Sequence, residues 1–183
     1  MRSLNSTACT RLPHGPSGQF EEPTRTVQNR YVALCALDLP NAMRVKGLID
    51  TGALIALLDH DDRWHGACRD AFTLFSLPLI TSAAVLAELF HLVGDTLVEK
   101  EAAWALVRSG AISILPIDDV DMPALHALMK KYHDRPMDFA DATLVHLARR
   151  ESVQTILTID FDDFETYRID GRKHFRIFPS RVR

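Results

Sequence analysis

Cysteine is scarce and scattered in this chain: Cys9, Cys35 and Cys68 form no Cys-x-x-Cys pair and no cluster with histidine. That pattern indicates neither a disulfide framework nor a zinc site, and makes the reducing cytoplasm the default compartment. No apolar run approaches the roughly 20 residues that a membrane-spanning helix needs, so no membrane association is expected. No Gly-x-Gly-x-x-Gly follows the first apolar run, which argues against dinucleotide binding. Internal repeats are missing as well. Charge of one sign is not in large excess, because 21 Lys and Arg face 24 Asp and Glu for a formal net charge of -3. A polyanion therefore finds no general attraction here, and RNA or DNA binding requires a local basic patch or a bound cation.

The 183 residues are 47% hydrophobic and 25% charged, values that suit one globular domain with a real core. Residues 1–43 read differently from the rest, with Ser, Thr, Pro, Asn and Arg scattered without a period and only Tyr31 to Leu37 apolar. They are expected to be an N-terminal extension, disordered or the product of a misplaced start whose true position is Met43. Residues 44–183 are expected to be the working domain. Here apolar runs alternate with helical patterns: Val45 to Ile49, Leu77 to Ile80, Ile112 to Ile117, Thr155 to Ile159 and Phe175 to Phe178 read as strands. Between them the spacing predicts helices, among them Ala53 to Leu58, Ala83 to Val93 with Thr81-Ser82 as its start, and Met122 to Tyr132. Buried strands joined by helical crossovers mean a mainly parallel sheet of about five strands in a three-layer α/β/α sandwich.

Acids recur where such a sheet gathers function. Asp50 and Asp160 close predicted strands, and functional groups collect beyond the carboxyl ends of parallel strands. Asp138 and Asp141, three residues apart, share one side of a helix's first turn. Their ordinary reading is an N-cap and a third-position acid favoured by the helix dipole. Glu88 sits on an otherwise apolar helix expected to face the core, where an unpaired carboxylate is costly. If these five acids converge, like charges about 4 Å apart cost on the order of 4 kcal/mol per pair at an effective dielectric of 20. Such a cluster takes up protons or binds a cation. Oxygen ligands without Cys or His favour Mg²⁺, with Mn²⁺ as the alternative, over zinc. These ions suit phosphodiester hydrolysis.

Leu48-Ile49-Asp50-Thr51-Gly52-Ala53-Leu54, Thr81-Ser82 with Glu88 downstream, Asp138-Phe139-Ala140-Asp141-Ala142, and Thr158-Ile159-Asp160 with Asp163-Phe164 together resemble the PIN domain. The likeness is greatest to the VapC-type toxins of bacterial toxin–antitoxin pairs, and it spans roughly Val45 to the C-terminus. The resemblance implies a metal-dependent ribonuclease with a Rossmann-like sheet, usually a homodimer, held inactive by a cognate antitoxin. It matches Asp50 and Asp141 to the principal metal ligands and Glu88 and Asp160 to the remaining acids. Asp138 falls where relatives often carry a polar residue, and Thr51 where a hydroxyl orients ligands from behind. The extension departs from the family pattern.

A stand-alone PIN nuclease in RNA processing and a catalytically silent PIN module binding RNA or protein are the alternatives. A haloacid-dehalogenase-like phosphatase is disfavoured, because Asp50-Thr51-Gly52 lacks the second acid of its Asp-x-Asp. Glu88 and His91 have Glu-x-x-His spacing but no second copy, which argues against a di-iron site. Asp162 and Asp163 are expected to cap a short helix. Arg168, Arg172, Lys173, Arg176, Arg181 and Arg183 give the C-terminal end a positive bias, ordinarily a solvated surface and alternatively a contact for phosphate.

Overall fold

The computed structural model describes residues 45–135 and 137–181. The expected extension, its Tyr31 to Leu37 run and the Met43 start lie outside the described residues. Five short strands, β1 (Leu48–Ile49), β2 (Leu79–Ser82), β3 (Ile112–Leu115), β4 (Thr155–Leu157) and β5 (Arg176–Phe178), form one sheet in the order β3-β2-β1-β4-β5. Every pairing is parallel. Seven helices connect them: α1 (Thr51–Leu58), α2 (His65–Phe72), α3 (Ala83–Leu92), α4 (Leu97–Arg108), α5 (Met122–Lys131), α6 (Phe139–Arg150) and α7 (Phe161–Thr166).

Successive residues of a strand point to opposite faces. Leu48 and Ile49, and Ile156 and Leu157 beside them, are all fully buried, so helices cover both faces of the sheet as the apolar runs predict. Each such side chain contributes roughly 1.5–3 kcal/mol by leaving water. The helix α6 packs on β2 and α3, α2 on β4, and α7 on β5.

Strand boundaries shift for local reasons. Pro78 has no N–H to give a ladder, so β2 runs from Leu79 through Ser82 rather than from Leu77 to Ile80. Pro116 likewise follows the end of β3, short of the predicted Ile117. Val45 stays outside β1 but makes a parallel bridge to Phe75. With β1 in the middle of the sheet, β2 and β3 follow to one side, and the chain then crosses back to lay β4 and β5 on the other. The order therefore reverses between β1 and β4, and in open parallel sheets functional groups gather beyond the carboxyl ends at such a reversal.

Candidate metal centre

Asp50 follows β1 and N-caps α1 from an extended conformation, accepting a hydrogen bond from the Thr51 amide at 2.7 Å. Its second oxygen accepts from the Thr158 hydroxyl at 2.8 Å, just past β4. The same hydroxyl accepts from the Asp160 amide at 2.9 Å, so one threonine ties the ends of β1 and β4 together across the reversal point. Gly52 permits this closeness: a Cβ there would stand 2.8 Å from Ile159 Cγ1.

Glu88 on α3 accepts from the Thr51 hydroxyl at 2.7 Å, the orienting role expected of Thr51. Glu88 is half-buried rather than a core residue. Asp138 caps α6 by accepting from the Asp141 amide at 2.7 Å, and Asp141 occupies the first turn, the ordinary placement for this pair. Asp138 is exposed, and its Oδ2 has no protein donor among the described residues. Asp141 is buried, and its Oδ2 accepts from the Tyr167 hydroxyl at 3.0 Å.

Asp160, not Asp162 or Asp163, caps α7. The prediction misplaced the cap by two residues because the chain turns immediately after β4, leaving Asp162 and Asp163 in the first turn. His65 bonds through Nδ1 to the Ala56 carbonyl at 2.8 Å.

The electrostatics follow from burial. Asp50 is pushed up to about 6 by desolvation, opposed by its bonds to Thr158 and Thr51, with Glu88 and Asp160 pushing further upward. Asp141 rises to about 8: burial comes first, the charges of Asp138 and Asp50 add to it, and the single Tyr167 bond opposes them. Asp160 is also raised, chiefly by burial and then by Asp163. Asp141 is the more perturbed because Asp50 has two donors and Asp141 has one. Among the described residues, the side chains acting on Asp50 and Asp141 are acids and hydroxyls rather than cations.

Two buried carboxylates that, among the described residues, are flanked by further acids and by hydroxyls fit a hard divalent ion. Among the described residues, no three His, Cys, Asp or Glu side chains already encircle one ion position. The acids thus lie near enough for their charges to act on Asp50 and Asp141, yet are not the single crowded cluster that the sequence suggested. Caps and hydroxyl bonds hold them, and mutual repulsion opposes closer approach.

Thr158 and Tyr167 are the site residues that sequence reasoning passed over. Thr158 was legible in principle, since it stands two residues before Asp160 and so on the same side of an extended segment. Tyr167 carried no signal, because only the docking of α7 brings it to Asp141, 26 positions away. Thr158→Val should leave Asp50 Oδ2 and the Asp160 amide unpaired at nearly constant volume. The expected cost is about 1–3 kcal/mol of stability and about a tenfold loss of divalent-ion affinity at pH 7. Calorimetric Mg²⁺ titration and a urea melt check both, and unchanged ion affinity would show that the bridge is dispensable.

Fold and site together define an α/β protein whose working edge is built from carboxylates at the point where the strand order reverses. The PIN domain family model matches residues 47–169, and the chain belongs to that family. Members of the family generally depend on divalent metal ions. The chain is 33% identical over 135 residues to Ribonuclease VapC26 of Mycobacterium tuberculosis (strain ATCC 25618 / H37Rv), which covers 72% of this chain and 99% of that protein. Its fold resembles the crystal structure of Mycobacterium tuberculosis VapC20, described as a sarcin-ricin loop cleaving toxin. The TM-score is 0.57 at 20% identity, with 64% of this chain and 92% of that one aligned.

Proposed function

We propose that residues 44–183 form a Mg²⁺-dependent endoribonuclease, the toxin of a type II toxin–antitoxin pair. It acts in the cytoplasm as a homodimer and is restrained by a cognate antitoxin. The observation that carries this reading is the pair Asp50 and Asp141, buried, raised in pKa and without a cation among the described residues acting on them, in a chain of the PIN family. Similarity to a VapC ribonuclease supports RNA as substrate.

Asp50 and Asp141 would hold the divalent ion, with Glu88, Asp160 and Asp138 as the further acids available to it. When bound there, such an ion would supply Lewis acidity toward the phosphate and lower the pKa of water. Thr51 orients Glu88, Thr158 orients Asp50 and Tyr167 orients Asp141, each by donating a hydroxyl hydrogen bond; Glu88 and Asp141 each accept through one oxygen, whereas both oxygens of Asp50 accept, one from the Thr51 amide and one from Thr158. Burial of Asp50 and Asp141 strengthens their attraction to a cation compared with exposed acids.

The purified chain is expected to cleave RNA when Mg²⁺ is present, to stop on chelation and to resume when Mg²⁺ or Mn²⁺ is restored, as read on labelled RNA by gel. Cleavage that persists in excess chelator, or its absence at every divalent ion tried, would reject the reading.

A further inference from the structure

The acidic edge creates a difficulty for a polyanionic substrate. Negative charge gathers at this edge, since Glu88 and Asp160 act on Asp50, and Asp138, Asp50 and Asp160 act on Asp141, while the chain as a whole carries -3. A bound cation offsets charge at one phosphate only, so affinity for the remaining phosphates has to come from another surface.

Such a surface exists at the opposite edge of the sheet. A cavity of about 270 Å³ is walled by Lys46, Arg149, Lys173 and Arg176, with Asp170 as its one acid. Lys46 precedes β1, Thr155 of the same cavity begins β4 and Arg176 begins β5, so the opening lies at the amino ends of the strands. Helix α6 links the two edges: Asp141 is in its first turn and Arg149 in its last, about 12 Å apart at 1.5 Å per residue.

Asp170 pairs with Arg149 at 3.1 Å and with Lys173 at 3.9 Å, holding both cations at the wall. Among the described residues Lys46 and Arg176 have no acidic partner, and the Arg176 amide is anchored to the Gln154 carbonyl at 2.8 Å. A solvated charge run lies on an open surface, whereas these four cations converge on a concavity. A second cavity of about 290 Å³ between α5 and α6 shares Arg149 and Asp170 and adds Lys131 and Arg168 above an apolar floor of Ala124, Ala127 and Leu128. Adjoining cationic and apolar hollows suit a phosphate with its nucleoside better than a carboxylate peptide.

We propose that the cavity walled by Lys46, Arg149, Lys173 and Arg176 is a second RNA contact that seizes a backbone phosphate remote from the bond being cut. The proposal rests on the ribonuclease reading for its biological setting, but its test is binding and stands apart from cleavage. The experiment uses the full chain bearing Lys46→Ala and Arg176→Ala, with Lys46→Arg and Arg176→Lys as the charge-retaining control. Fluorescence anisotropy with a labelled single-stranded RNA of about thirty nucleotides is followed across salt concentrations in the presence of Ca²⁺.

The expected result is about a tenfold weaker affinity and a log–log salt slope shallower by about one, both restored in the control. Cleavage of a dinucleotide, too short to span both edges, should keep its kcat and KM. Unchanged affinity and slope would overturn the proposal even if the wild-type chain cleaves RNA. Failure of the wild-type chain to bind RNA at all would overturn it too, as would equal weakening in the charge-retaining control. Charge-dependent loss of binding in a chain that does not cleave would support the cavity while rejecting the nuclease.

Discussion

Asp141→Asn is expected to abolish Mg²⁺-dependent RNA cleavage while making the metal-free protein more stable above pH 8. The change is nearly isosteric, and the Tyr167 hydroxyl retains an acceptor in the amide oxygen, so the fold is kept. What disappears is a buried negative charge. Metal ions supply several kcal/mol of transition-state stabilisation, so loss of a principal ligand charge predicts a fall of about 10³-fold or more in kcat.

The stability effect has the opposite sign. Asp141 titrates at about 8 when folded against an ordinary 3.8, so between these values the folded protein keeps a proton that the unfolded chain has released. Stability therefore falls as pH rises through that window, and the full penalty is present above it. An amide has no such titration. Thermal melts in chelator at pH 5 and pH 9 should show the wild-type losing more than the variant, and added Mg²⁺ should stabilise only the wild-type strongly. Full activity in Asp141→Asn would dismiss the assignment of this ligand, and an unaltered pH dependence of stability would dismiss the account of its burial.

Phe164→Ala is expected to be the most damaging single truncation near the site, costing about 3–5 kcal/mol. Phe164 is fully buried and packs edge-on against Tyr167 and Phe175, both at 5.4 Å between ring centres. Removing the ring leaves a hole beneath α7, the helix whose position presents Tyr167 to Asp141. For a domain of this size the loss corresponds to a Tm lower by roughly 6–20 °C. It should also weaken the Mg²⁺ response, because Tyr167 loses its packing before it loses its hydrogen bond. Differential scanning calorimetry with and without Mg²⁺ measures both quantities. A drop below about 1 kcal/mol would mean that α7 repacks freely and that Tyr167 is not fixed by this contact.

Much of the molecule is written in local patterns. The alternation of apolar runs with helical spacing foretold a parallel sheet covered on both sides, because strands buried on two faces leave no polar positions to read as alternation. Asp138 before Phe139, with Asp141 three residues on, announced a helix start, and the structure has it there. Other boundaries moved where a proline removed an amide from the ladder, as at Pro78 and Pro116, or where one acid displaced another as cap, as Asp160 does.

The amino-acid order by itself determined the fold class, the helix that carries Asp138 and Asp141, and the placement of Asp50 and Asp160 at strand ends, since each depends on neighbours within a few positions. Only the tertiary structure decided which acids are buried, that Thr158 joins Asp50 to the Asp160 amide, that Tyr167 reaches Asp141, and that Lys46 and Arg176 line one cavity at the far edge. Desolvation and hydrogen bonding act between groups dozens of residues apart in the chain, and the crossing of the sheet from β3 back to β4 is what makes them neighbours.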